Sequence, residues 1–360
     1  LNFEITGTEL RLLADLTLAL VLFIDAANID LKVLVKNLGL PQRMLLIGLP
    51  GVILLGIGSG MLLFGELGFY AVATLAVMLA ATDAALGKAV VTNKLVPPRV
   101  REGLNAESGL NDGICVPILF VFLALGIHGG HVEGGGTALA LKLFVQELGI
   151  GLAVGLGMAA AGAWLLGFAK KRGWITSIWA QVPVITLALG SFAVAQTLHG
   201  SGYVAAFTGG LLFGRLAGHL THDLVLPAEG TAELLGMLTW LAFGAAVLHE
   251  VYDFFTWKVV VYALLSLTVV RVLPIFLSLA GTGERVETRL FMAWFGPRGL
   301  ASIAFLVIAW NKGLPGADVL AVVVICTVFL SALAHGITAN PFSRALASRL
   351  EGEGRKGSPS

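Results

Sequence analysis

The sequence predicts an all-α polytopic membrane protein with about eleven transmembrane helices. Three observations predict it. The mean hydropathy is +0.90, and only 12% of the 360 residues are charged, against about 25% in soluble domains. Apolar runs of about 20 residues, the length a helix needs to cross the hydrocarbon core, recur along nearly the whole chain. Lysine and arginine gather in every second connection, as the positive-inside rule requires of a chain that crosses back and forth. A soluble apolar core is excluded by the lack of polar faces at helical period. The formal net charge of +1 implies no polyanionic partner, nucleic acid included. Both cysteines, Cys115 and Cys326, fall in apolar runs without partner spacing, so neither a disulfide framework nor a zinc site is indicated.

In chain order the spans cover residues 10–30, 44–64, 69–91, 101–127, 137–169, 178–198, 203–216, 232–249, 254–280, 288–311 and 319–345. Turn residues divide them. Gly39-Leu40-Pro41 separates the first two, and Pro97-Pro98 precedes the fourth. Gly129-Gly130 and Gly134-Gly135-Gly136 precede the fifth, and Gly281-Thr282-Gly283 precedes the tenth. The fifth is long and the seventh short. Pro183 and Pro274 fall inside spans and predict kinks. Gly56 and Gly60, and Gly151 and Gly155, place small residues four apart, which lets helix backbones approach closely.

Basic residues set the orientation. Lys32, Lys36 and Arg43, then Lys88, Lys94, Arg99 and Arg101, then Lys170, Lys171 and Arg172 occupy alternate connections. Arg215, Arg285, Arg289 and a basic tail continue the same side. This alternation places the C-terminus in the cytoplasm and Leu1 outside. Leu1 is not methionine, and Asn2 to Arg11 do not read as a signal peptide. Further N-terminal sequence is therefore expected.

A few polar groups then stand out against the apolar background. Asp83 in Thr82-Asp83 lies inside the third span, and Asp112 lies in Glu107-Ser108-Gly109-Leu110-Asn111-Asp112 within the fourth. An ionised carboxylate at the bilayer centre costs about 2.5–3.5 kcal/mol on the insertion scale. Two in consecutive spans should face water, a cation or a proton, which points to ion transport. As a helix, this segment puts Ser108 and Asp112 on one face and Glu107 and Asn111 on the adjacent one. A carboxylate with a hydroxyl one turn away offers hard oxygen ligands suited to an alkali cation. Glu107 wants a basic partner, and Arg298 in Gly296-Pro297-Arg298-Gly299 is the expected one, unless it snorkels to the interface. Thr82-Asp83 and Gly296-Pro297-Arg298-Gly299 both read as helix-breaking sites, one in each half, as an inverted-repeat transporter would show. Asp25 is a third acid, which joins the site, lines an access path or sits at the interface. His335 lies inside the last span as a packed or hydrogen-bonded residue, whereas the other histidines fall at span ends. Glu133, Glu147 and Glu250 read as surface charge.

On Thr82-Asp83, Glu107-Ser108 with Asn111-Asp112, Gly296-Pro297-Arg298-Gly299 and the acidic helix end from Phe23 to Leu31, the chain resembles the monovalent cation–proton antiporters, in their NhaP-like bacterial branch. The resemblance covers essentially the whole chain. It implies an inverted-repeat fold of about thirteen helices with discontinuous spans, so that about two helices would precede Leu1. It also implies a homodimer in a bacterial inner membrane. Residues 1–36 would form a dimer-side helix, 43–127 the first core half and 137–172 a linking helix. Residues 174–250 would form further dimer-side helices, 254–347 the second core half and 348–360 a cytoplasmic tail. The resemblance assigns Asp112 and Asp83 as ion-binding and proton-exchanging groups, with Ser108 and Thr82 as supporting Na+ ligands. It assigns Glu107 and Arg298 as a structural pair. Asn111 stands where the electrogenic branch has a second aspartate, which implies electroneutral exchange. Ala84 and Asp25 depart from the proline and glutamate more usual at these positions.

The expected function is exchange of Na+ or Li+ for H+ by competition at Asp112 and Asp83, with no cofactor and only lipid and the second protomer as partners. A K+/H+ exchanger of the same fold is the first rival, because ligand chemistry does not fix cage size. A sodium-coupled solute symporter would need a further polar cavity. A non-transporting scaffold leaves both buried acids unexplained, and no nucleophile–base or metal-ligand spacing suggests an enzyme.

Overall fold

The computed structural model describes residues 7–29, 39–128, 136–174, 182–218 and 221–354. Asp30, Lys32, Lys36, His131 and Glu133 lie outside them. Among the described residues every regular element is helical, as a chain in lipid requires when each backbone N–H must find its acceptor within the same segment. The helices are α1 (Gly7–Ala27), α2 (Leu40–Leu67), α3 (Phe69–Met78), α4 (Ala84–Val91), α5 (Pro98–His128), α6 (Gly136–Lys171) and α7 (Val182–Thr197). They continue as α8 (Gly202–Ala217), α9 (Thr221–Val251), α10 (Trp257–Leu267), α11 (Val269–Ser278), α12 (Val286–Trp294), α13 (Leu300–Asn311) and α14 (Ala317–Gly354).

Where the expected spans are described, they overlap helices or pairs of half-helices. Among the described residues five stretches are long and apolar enough to cross a bilayer unaided: Leu40–Leu67, Pro98–Ile127, Val145–Lys171, Trp257–Ser278 and Ala317–Leu350. Residues 69–91 divide into α3 and α4, and residues 288–311 into α12 and α13. Both divisions fall at the helix-breaking motifs. Pro183 lies near the described start of α7. Pro274 lies within α11, and the discontinuity of that span is at Thr268.

Glycines set the closest approaches. A Cβ at Gly210 or Gly214 of α8 would run into the carbonyls of Phe23 and Ala27, so α1 and α8 pack backbone to backbone. Gly151 and Gly155 of α6 likewise face the carbonyls of Ser201 and Ala205. Gly56 and Gly60 of α2 receive Ala76 and Val72 of α3. Helices α1, α6, α7, α8 and α9 form one contiguous group, and α1 also meets α5 and α13. The two broken pairs lie against α5 and α14.

Candidate functional site

The two helix breaks meet each other. Helix α3 ends at Met78, residues 79–83 leave the helix, and α4 begins at Ala84. The second break runs from Phe295 to Gly299. The Asp83 N–H donates to Pro297 O at 2.8 Å. The Asp83 carboxylate then serves both half-helices: Oδ1 accepts from Leu86 N–H of α4 at 3.0 Å, and Oδ2 from Leu300 N–H of α13 at 2.8 Å. Two positive helix ends therefore converge on one anion, the arrangement that helix dipoles and orphan amides favour. The glycines of the second break make room for this. A Cβ at Gly299 would overlap the Asp83 carboxylate, and one at Gly296 would overlap the Arg271 guanidinium. On the opposite ends, Ser302 Oγ donates to Met78 O at 2.8 Å, satisfying a carbonyl at the end of α3.

Around the first break, α5 supplies a polar face. Ser108 Oγ donates to Thr82 O at 2.9 Å and also lies 3.4 Å from Thr82 Oγ1. The Asn111 amide nitrogen reaches Ala80 O at 3.1 Å, Thr82 Oγ1 at 3.2 Å and Glu107 Oε1 at 3.3 Å. Cys115 Sγ donates to Asn111 Oδ1 at 3.1 Å. Asn111 is thus held from both sides and ties the unwound strand to α5.

The expected ion pair between Glu107 and Arg298 is corrected. Glu107 forms a bidentate pair with Arg271 of α11, with Nη1–Oε1 at 2.8 Å and Nη2–Oε2 at 3.1 Å. Both side chains are 2% exposed. Arg298 is fully buried but turns to carbonyls: its Nη1 lies 3.3 Å from Gly296 O and 3.4 Å from Ala80 O. Its Nε and Nη2 have no hydrogen-bond partner. Arg271 went unnoticed in the sequence, although a lone arginine inside the apolar run 254–280 was the available signal.

Asp112 differs from Asp83 in one respect that matters chemically. It is 3% exposed, and its Oδ1 is buried without any hydrogen-bond partner. Asp25, Asp83 and Glu107 are its charged neighbours. Asp25 is half-buried, and the main chain and Cβ of Asp25 lie against Gly109 of α5. The structure thus gathers Thr82, Asp83, Glu107, Ser108, Asn111 and Asp112 at one crossing, places Asp25 beside them, and puts Arg298 across the break. A cleft bordered by Thr82, Asp83, Ser108, Asn105, Gly87 and Pro297 leads to it. Of its lining residues Asn105 is exposed. Among the described residues no three His, Cys, Asp or Glu side chains converge as a metal centre would require.

A family model described as "sodium/hydrogen exchanger, transmembrane" matches residues 2–345. Among curated relatives, the chain is 24% identical over 270 residues to the K+/H+ antiporter NhaP2 of Shewanella sp. strain MR-4, covering 74% of this chain and 46% of that protein. It is 26% identical over 348 residues to the Na+/H+ antiporter NhaS2 of Synechocystis, covering 92% and 61% respectively. It is 23% identical to the Na+/H+ antiporter NhaH of Halobacillus dabanensis, over 76% of this chain and 68% of that one. The chain spans about half the length of NhaP2. Among solved structures, the sodium proton antiporter MjNhaP1 of Methanocaldococcus jannaschii at pH 8 superposes with a TM-score of 0.72 at 20% identity, over 95% of this chain and 88% of that one.

Proposed function

The chain belongs to the sodium/hydrogen exchanger family, and from that premise we propose that it is a secondary antiporter exchanging Na+ or Li+ for H+ through Asp112. One observation carries the assignment to this residue: Asp112 Oδ1 is buried with no partner, whereas both oxygens of Asp83 are taken by helix N-termini. A buried carboxylate oxygen without a donor is costly unless it holds a proton or a cation. Asp112 is therefore the group on which the two compete. Ser108 and the Thr82 carbonyl stand beside it as neutral oxygens that replace water around a partly dehydrated ion. Asp83 holds the crossing together and lends negative potential, and Asp25 lies on the approach.

The cycle needs few steps. In the conformation described, the cation enters along the cleft past Asn105 and displaces the proton from Asp112. The body that carries the crossing then moves against α1 and α6–α9, and the ion leaves on the other side as a proton takes its place. Because Asn111 is neutral, one charge is exchanged for one, and the stoichiometry is 1:1. The Glu107–Arg271 pair stays closed throughout, as breaking it would strand a buried charge. The homodimer forms through the α1, α7, α8 and α9 side, and the basic connections and the C-terminus face the cytoplasm of a bacterial inner membrane.

K+ is the second reading, favoured by the names of NhaP2-type relatives. The test uses proteoliposomes of the full protein with an acid interior and a pH dye, with the membrane potential clamped and Na+, Li+ and K+ added in turn. Collapse of the gradient by Na+ or Li+ alone, abolished in Asp112→Asn, is expected. Collapse by K+ as well moves the assignment to the broader exchanger. Exchange at the wild-type rate in Asp112→Asn removes Asp112 from the mechanism.

A further inference from the structure

We propose that Ser331, His335 and Thr338 of α14 form a clamp on the α12/α13 break, with His335 as a positioning residue for the cation site. The proposal rests on the antiport reading above. The three residues stand at i, i+4 and i+7, which puts them on one face of α14. Each takes a polar atom of the same short segment. Ser331 Oγ accepts from the Arg298 N–H at 2.7 Å. His335 Nε2 lies 3.0 Å from Trp294 O. Thr338 Oγ1 accepts from the Trp294 indole N–H at 3.0 Å.

Two of these bonds go to backbone groups on either side of the break: the Arg298 N–H, which has left the helical ladder, and Trp294 O, which also accepts from the Gly296 N–H at 2.9 Å. In a water-poor interior such groups are costly to leave unsatisfied. Ser331 is fully buried and His335 is 4% exposed. The Trp294 and Phe295 rings flank the imidazole at 5.3 and 6.1 Å between centroids. They fix its plane. On its other side, Nδ1 lies 2.8 Å from Ser331 O, one turn back in α14, and 3.1 Å from the Ser331 hydroxyl. That hydroxyl receives the Arg298 N–H, so Ser331 joins the imidazole to the far side of the break. A continuous chain of hydrogen bonds therefore runs from Trp294 O to Arg298 N. The charged groups facing His335 are Arg298 from the break and Arg271 from α11, the latter already paired with Glu107 of α5.

The clamp reaches the cation site through the crossing. Pro297 O receives the Asp83 N–H, Leu300 N–H holds the Asp83 carboxylate, and Arg298 reaches Ala80 O. Residues 80–83 are therefore positioned against a segment that α14 positions in turn. Loosening the clamp displaces the Thr82 carbonyl from the ion, which weakens binding more than it slows the movement.

The test compares wild type with Ser331→Ala, His335→Ala and His335→Gln in the full protein, with the lipid-facing Phe329→Leu as control. Amide hydrogen exchange is followed over residues 294–299, and the half-saturating cation concentration and maximal rate are measured in proteoliposomes. Ser331→Ala and His335→Ala are expected to speed amide exchange there about tenfold and to raise half-saturation about fivefold to tenfold, the factor of one lost buried hydrogen bond. The maximal rate should change less. His335→Gln, which keeps a donor, should recover most of both. Unchanged amide exchange in folded Ser331→Ala and His335→Ala overturns the clamp, as does a defect confined to the maximal rate. Should His335→Ala fail to fold, Ser331→Ala decides by the same criteria. If the wild type exchanges no cation, the antiport reading falls, and the amide-exchange arm still decides whether the clamp exists.

Discussion

Single residues at the crossing carry charges that only their partners make tolerable. Arg271 is the clearest case, since its fork matches both Glu107 oxygens in a site 2% exposed. Removing one member of a buried pair costs about 3–5 kcal/mol, because the other charge is left alone. Arg271→Ala should lower the thermal unfolding temperature of the purified protein sharply, and Arg271→Lys should restore only part of it, as an ammonium lacks the planar fork. The double variant Glu107→Gln/Arg271→Met should be more stable than either single change. Wild-type stability in Arg271→Ala would return Glu107 to Arg298. The sequence singled out Asp83, Glu107 and Asp112, which the fold brings to one crossing, because an acid in an apolar run is visible by itself. It did not choose between arginines 164 and 191 residues away from Glu107, because nothing local encodes which distant span folds against which.

At the level of the elements, the breaks and the glycine contacts were legible to different degrees. Thr82-Asp83 and Gly296-Pro297-Arg298-Gly299 lie where α3/α4 and α12/α13 divide, since a proline, glycines and an unpaired charge all oppose helix at those points. The reason for the two glycines of the second motif was not legible. Gly296 accommodates Arg271 and Gly299 accommodates Asp83, and both side chains arrive from elsewhere in the chain. Gly299→Ala should therefore abolish exchange even though alanine favours helix, with the defect read as lost transport in protein that still reaches the membrane. Normal transport in Gly299→Ala would mean that Asp83 does not cap α13 as described. The division at Thr268 had no sequence signal, because no proline, glycine or charge stands at that position. On the other side of the molecule, Gly210→Leu should separate α1 from α8 and reduce the yield of folded protein, whereas Gly58→Leu, which has open space around it, should not. Equal yields from the two would contradict the close approach of α1 and α8.

For the whole molecule, the charge inventory of the crossing makes a prediction about voltage. Asp83 is compensated by two helix N-termini, Glu107 by Arg271, and Arg298 faces the carbonyls of Ala80 and Gly296. On the proposed mechanism only the occupant of Asp112 changes during the cycle, and a proton and a monovalent cation carry the same charge. Exchange in proteoliposomes should therefore proceed at the same rate whether the interior is held positive or negative. A rate that follows the imposed potential, at fixed ion and pH gradients, would reject the 1:1 stoichiometry.

The joint at Asp83 also has a bearing on how the chain is made. Its carboxylate waits for a backbone amide 217 residues further on. At a synthesis rate of about 5–20 residues per second, that amide emerges roughly 10–40 seconds later. Throughout that interval the N-terminal half sits in the bilayer with an acid bonded on one side only and an unwound strand lacking its Pro297 acceptor. The junction is therefore complete only once both halves of the chain have been made, and the first half must be inserted with its acid half-bonded.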